Sequence, residues 1–220
     1  MGRTDELRRK LKMPRTAALA GILFSSLTIG SHLLIRTAVP ANPLASTEEL
    51  LSHANTLLLA LNLVPFAGIS FLWFIGVFRD HLGEYEDRLF ATVFFGSGLL
   101  YVAMLFSSAA LAGGLLAEMS REAGKLVSSG SYSLGRSGIQ ITTVYGIRMA
   151  GVFIITASTI SLRTRAMPRW LALLGYVVAL VLLLNVRTRE WTALMFPAWV
   201  FVISIWILIQ RFRQSSVRSA

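Results

Sequence analysis

The sequence predicts an all-α fold: a polytopic membrane helix bundle with six transmembrane helices and both termini cytoplasmic. Three observations carry that expectation. The 220-residue chain is 55% hydrophobic and only 15% charged, with a mean hydropathy of +0.64, too apolar for a soluble domain of this size. Its apolar residues gather into six runs, each long enough or nearly long enough to cross the hydrocarbon core. Lys and Arg alternate with those runs: 14 fall in termini and connections assigned to the inside and 5 in outside connections, with Arg36 and Arg148 in spans. That is the positive-inside bias. The same distribution argues against nucleic-acid binding, because the net charge of +10 flanks apolar segments instead of forming one basic face. With no cysteine, disulfides, thiol nucleophiles and thiolate metal sites are excluded.

Residues 1–16 form a basic cytoplasmic segment, residues 17–210 the transmembrane domain and residues 211–220 a basic cytoplasmic tail. The first span, 17–35, is longer than a signal-peptide core and no small-x-small cleavage pattern follows it, so it reads as an uncleaved helix. Gly21, Ser25, Thr28, His32 and Arg36 recur at spacings of three and four, a stripe that should face protein. The connection 37–47 holds Pro40 and no Lys or Arg, and belongs outside; Ser46 and Glu49 have capping-box spacing. The second span, 54–78, is preceded by Ser52 and carries Asn55 and Asn62 as its polar positions. Pro65 follows, and its missing donor should kink the helix and free a carbonyl near Leu61. The connection 79–88 mixes Arg79 and Arg88 with four acids and His81, which reads as solvated.

The third span, 89–117, repeats Ala109, Gly113 and Ala117 every four residues, a pattern of close helix packing within the bundle or between protomers. Residues 118–138 read as the longest loop, outside, Gly/Ser-rich and mobile toward its end. The fourth span, 139–162, is followed by Arg163, Arg165 and Arg169, an inside signature. Residues 170–186 are short and apolar nearly all round and should face lipid. Arg187, Arg189 and Trp191 mark the outer interface, and the last span, 191–209, should bend at Pro197.

The fourth span carries Arg148, and an arginine at a span centre is disfavoured by about 2.5–3.5 kcal/mol on insertion scales, which makes it a functional-site candidate. Counted from Thr142 it lies about 9 Å deep, within reach of the headgroups by snorkelling. His32 lies about 6 Å below Arg36 and Asn62 about 10 Å below Asn55, so one layer of donors is expected: Arg148, His32, Asn62, Tyr145 one turn above Arg148, Arg36, and Ser108 of the third span. Such a layer suits a carboxylate, a lipid phosphate or a quinone head. Arg148 is expected to face the bundle interior, its charge held by Asn62, Tyr145, the carbonyls that Pro65 releases, water or a bound anion.

None of the eleven acids lies inside a span, which weighs against ion-coupled carriers and intramembrane aspartyl proteases. HExxH and GxSxG are absent, so no catalytic residue is assigned and a non-enzymatic role is expected. The basic start, the RTAALAGILF of residues 15–24 and the basic–acidic connection 79–88 resemble several bacterial multi-pass membrane families of unknown function. The resemblance covers the first half of the chain and brings no functional residues with it; it implies a plasma (inner) membrane location. Three functions stay open: binding or permeation of a small anionic solute or lipid headgroup around Arg148; a redox protein holding haem on His32 and His53, or a quinone; and an accessory or scaffold subunit. The expected partners are membrane lipids, a second copy of the chain, or a larger membrane complex.

Overall fold

The computed structural model describes the backbone of residues 3–38, 52–82, 88–128, 130–164, 167–184 and 190–217, and side chains over 16–38, 52–78, 89–121, 130–164, 167–184 and 191–210. Six helices run through it: α1 Arg3–Ala38, α2 Ala54–Leu82, α3 Arg88–Ser128, α4 Ser131–Thr164, α5 Arg169–Leu184 and α6 Glu190–Val217. Five of them are long and apolar enough to cross a membrane. The remaining helix, α5, has 16 residues, about 24 Å at 1.5 Å per residue, short of the roughly 30 Å of a hydrocarbon core. Consecutive helices run antiparallel. We call the end where α1, α3 and α5 finish the distal end and the other the proximal end. The capping-box pair Ser46 and Glu49, with Pro40, lies outside the described residues, as does the side chain of His81.

The helices close a ring. α1 packs on α2 and α6, α3 on α2 and α4, and α5 on α4; a thin α5–α6 seam completes the circle, and α4 reaches across to α6 and α2. Its centre is aromatic. Phe24 of α1, Phe71 and Phe74 of α2, Phe94 and Tyr101 of α3, Phe153 of α4 and Phe196 of α6 are buried together, with Phe71 touching Phe24, Phe74, Tyr101, Phe153 and Phe196 at centroid separations of 4.6–6.0 Å. Edge-to-face and offset contacts of this kind add to packing beyond area burial. They matter here because lipid tails are as apolar as the core, so fit between side chains, not escape from water, has to favour the helix contacts. Leu, Ile, Val, Phe and Trp side chains cover much of the outer surface, among them Leu59, Phe66, Trp73, Leu173 and Leu184.

Four of the five first-span stripe residues face protein as expected, Gly21 and Ser25 buried and Thr28 and His32 half-buried, whereas Arg36 at its end is exposed. The second-span polar residues do the reverse. Ser52, Asn55 and Asn62 are exposed, because α2 turns Val64, Ala67, Phe71, Phe74 and Ile75 inward and Asn62 lies off that face. Pro65 sits inside α2 without ending it. The carbonyl that finds a partner is that of Ala60, next to the expected Leu61: Ser31 Oγ of α1 donates to it at 2.8 Å. This bond ties α1 to the turn ahead of Pro65, one residue before Leu61, whose carbonyl is the one that the missing Pro65 N–H releases.

Two expectations are corrected. Residues 118–138 are not a long loop; α3 runs to Ser128 and α4 starts at Ser131, joined through Gly130, whose φ of +72° is a left-handed turn conformation. The Gly/Ser content that reads as a linker is a packing surface. A Cβ on Gly135 would meet Leu115 at 3.1 Å and one on Gly138 would meet Leu111 at 3.4 Å, so the small residues let α4 lie close along α3 past the end of the apolar span. The second correction concerns Ala109, Gly113 and Ala117. Gly113 is met only by Leu61 Cδ1 at 3.8 Å, Ala117 is exposed and Ala109 half-buried, so among the described residues the stripe makes no tight contact within the bundle, and of the two expected roles only contact between protomers stays open. Close approach occurs elsewhere: Gly21 faces Ser204 and Phe74, Gly98 faces Ile75 and Phe153, and Gly175 faces Ser158 and Trp199.

Candidate functional site

A cavity of about 270 Å³ opens in the distal half of the ring, walled by all six helices. Its deep end is the upper surface of the aromatic core, Tyr101 and Phe196, with Ala67 and Ala150 beside them. Toward the mouth it is lined by Ser31, His32 and Ile35 of α1, Ser108 and Ala109 of α3, Thr142 and Thr143 of α4, and Thr192 of α6. The space exists because small residues meet there. Ala67, Ala109, Gly146, Ala150 and Ala193 line it, and the aromatic side chains that fill the ring one turn deeper have no counterpart at this level.

The wall is apolar in the depths and hydroxyl-rich at the mouth, and most of the hydroxyl protons are already committed. Thr28 donates to Phe24 O at 2.8 Å and Ser31 to Ala60 O. Thr142 donates to Gly138 O at 2.9 Å and Thr143 to Ile139 O at 2.8 Å. Since Thr143 has one proton and uses it on Ile139, the 3.1 Å contact between Ser108 and Thr143 is donated by Ser108. The mouth therefore presents hydroxyl lone pairs. At the deep end, no hydrogen bond among the described residues involves the Tyr101 hydroxyl, whose ring is held by Phe24, Phe71 and Phe196. Among the described residues no Arg, Lys, Asp or Glu lines the cavity.

The expected donor layer is therefore split. His32 and Ser108 line the cavity; Arg148, Asn62, Tyr145 and Arg36 do not. Arg36 is exposed, its guanidinium 4.7 Å from the ring of Trp191, a cation–π contact that joins α1 to α6 at the distal rim beside the lining residues Ile35 and Thr192. Arg163 makes the matching contact at the proximal end, 4.5 Å from Phe90. Arg148 is half-buried and Tyr145 exposed, with the guanidinium carbon 6.0 Å from the Tyr145 ring. The expectation that Arg148 faces the interior fails on helix geometry. The buried residues of α4, Gly146, Ile147, Ala150, Phe153, Ile154 and Ala157, centre on the opposite side of the helix from Arg148. Asn62 is turned outward as well, so it does not meet Arg148 across the bundle.

The two-histidine haem arrangement is not assembled either. His32 lines the cavity, whereas His53 is exposed just ahead of α2, its Nδ1 3.0 Å from Ser52 Oγ. Among the described residues no group of three His, Asp or Glu side chains could hold a metal ion. Sequence reasoning missed the hydroxyls of the mouth because Thr142 and Thr143 look like ordinary span residues; the signal for them is their spacing to Gly146 and Ala150, which gives α4 a small, polar inner edge. It also missed Ser158 and Trp199, which flank Gly175 with Ser158 Oγ and Trp199 Nε1 buried and unpartnered. No family model matches the chain, and none of the curated proteins or solved structures compared with it matches.

Proposed function

We propose that this protein is a plasma-membrane binding protein for an uncharged amphiphile, a molecule with a hydroxyl or carbonyl head and a single short chain or ring. The observation that carries the reading is the cavity of about 270 Å³, apolar at its aromatic floor and hydroxyl-lined at its mouth, with no carboxylate, ammonium or guanidinium among the described residues of its wall. Burying a charged solute there without a counter-charge would cost several kcal/mol, which favours a neutral ligand over a small anion. The volume lies just under the roughly 300–1,000 Å³ of drug-sized pockets. It suits one ring system or a short chain and is too small for both tails of a phospholipid. Ser108 and Thr143 would accept a hydrogen bond from a head hydroxyl, and Tyr101 would donate to a carbonyl; a quinone head is one member of this class.

The test is native mass spectrometry of the full chain released from mild detergent, followed by organic extraction. The expected result is a neutral adduct of a few hundred daltons. Ala109→Phe, which places a ring at the mouth, removes the adduct while the protein still elutes as a folded species. Extraction of anionic species alone, or an adduct unchanged in Ala109→Phe, overturns the reading.

The orientation belongs to the same proposal. The excess of Lys and Arg at the proximal end, 14 against 5, supports both termini in the cytoplasm and the cavity mouth toward the outer leaflet. Because the chain has no cysteine, single substitutions report cleanly. Ser131→Cys is expected to react with an impermeant maleimide on intact cells, and Ser216→Cys only after permeabilisation; the opposite pattern inverts the topology.

A further inference from the structure

The hydrogen-bonding polarity of the cavity mouth decides which neutral head it takes, an inference that rests on the amphiphile reading and narrows it. A serine or threonine inside a helix folds its hydroxyl back onto the carbonyl three or four residues earlier, and the proton spent there is no longer offered to a ligand. Three of the lining hydroxyls do so: Thr28 donates to Phe24 O at 2.8 Å, Thr142 to Gly138 O at 2.9 Å and Thr143 to Ile139 O at 2.8 Å. Two more donate to a neighbouring helix, Ser31 of α1 to Ala60 O of α2 at 2.8 Å and Ser108 of α3 to Thr143 Oγ1 of α4 at 3.1 Å. The protons of five lining hydroxyls, carried on α1, α3 and α4, are therefore committed to the protein, while each oxygen keeps a lone pair for what enters.

This pattern sorts uncharged heads by what they bring. An alcohol, a phenol or a quinol carries its own proton and finds acceptors on three helices. A ketone, an ester or a quinone carries only lone pairs; set among those oxygens, it gives up its hydrogen bonds to water and gains none from the five hydroxyls. A carbonyl that instead reaches the Tyr101 hydroxyl at the floor leaves its apolar body against the oxygens of the mouth. We propose that the mouth selects a hydroxyl-bearing head over its carbonyl counterpart, with Ser108 and Thr143 as the specificity-determining pair. That pair is the point where one substitution changes the sign of the wall, because the oxygen of Thr143 receives the proton of Ser108. His32 and Thr192 complete the polar lining, and the test separates the imidazole from the hydroxyls.

The experiment places the full chain in phospholipid nanodiscs with radiolabelled menthol and displaces the label with unlabelled menthol or menthone, probes of nearly one shape that differ in hydroxyl against carbonyl. Empty nanodiscs give the background. The expected result is saturable menthol binding, with menthone needing a roughly tenfold higher concentration for half-displacement. Thr143→Val keeps the shape, removes one acceptor and leaves the Ser108 proton without its receiver, so the ratio falls toward one. Thr143→Ser keeps the oxygen and the ratio, and His32→Phe leaves the preference in place. Equal half-displacing concentrations in the parent overturn the selectivity while the uncharged-amphiphile reading stands, and this comparison decides the proposal even if Thr143→Val does not fold. A preference that survives Thr143→Val and disappears in His32→Phe belongs to the imidazole and also overturns it. Absence of saturable binding by either probe overturns both the selectivity and the amphiphile reading beneath it.

Discussion

Replacing Gly175 by leucine is expected to destabilise the detergent-solubilised protein by about 1–3 kcal/mol, the usual cost of overpacking a fitted contact. A Cβ at this position runs into Ser158 Oγ and lies 3.1 Å from Trp199 Nε1 and 3.3 Å from Ile154 Cγ2, so helices α4, α5 and α6 would have to separate where the ring is thinnest. Gly113→Leu is the control. Its Cβ would make an ordinary 3.8 Å contact with Leu61, and a change within about 0.5 kcal/mol is expected. Apparent unfolding temperatures of the two variants check the pair; a Gly113 effect as large as that of Gly175 would move the critical interface to the third-span stripe and to contacts between protomers.

Phe71→Ala is expected to cost about 2–4 kcal/mol, somewhat less than in a water-soluble core because surrounding lipid lowers the transfer component while the void remains. Phe71 is fully buried and touches five other aromatic rings, Phe74 on its own helix and one from each of four other helices. The floor of the cavity should sag with it, so the neutral adduct should be lost together with stability. An unfolding temperature within a degree or two of the parent's would mean that the ring is held by its helix pairs alone.

The spans were legible because hydropathy is a property of each segment by itself. So was the inward stripe of α1, where small and hydroxyl residues repeat at helical spacing. What failed are statements about which face of a helix meets which neighbour. In α2 the large aromatic residues outweigh Asn62 in setting the inward face, because aromatic packing involves more surface than one amide. In α4 the small residues Gly146 and Ala150 and the rings of Phe153 determine the buried edge, and Arg148 is left on the far side. Gly113 and Gly175 show the same limit: both are glycines in apolar helices, and only the opposing side chains distinguish a tight crossing from an open one. The segment 118–138 was misread for a related reason, as glycine and serine are shared by linkers and by helix surfaces that must come close. The cavity was legible only in part, through His32, Ser108 and the small, polar edge of α4, because it is a space left where alanines, glycines and hydroxyls from six helices meet.

A high-resolution density map of the protein in phospholipid nanodiscs would show whether the distal cavity holds an uncharged amphiphile. The expected result is a compact, continuous non-protein feature resting on Tyr101 and Phe196, with its polar end within hydrogen-bonding distance of Ser108 or the Tyr101 hydroxyl. A cavity filled by separate water peaks, or closed by inward movement of Met104 and Leu105, would contradict it.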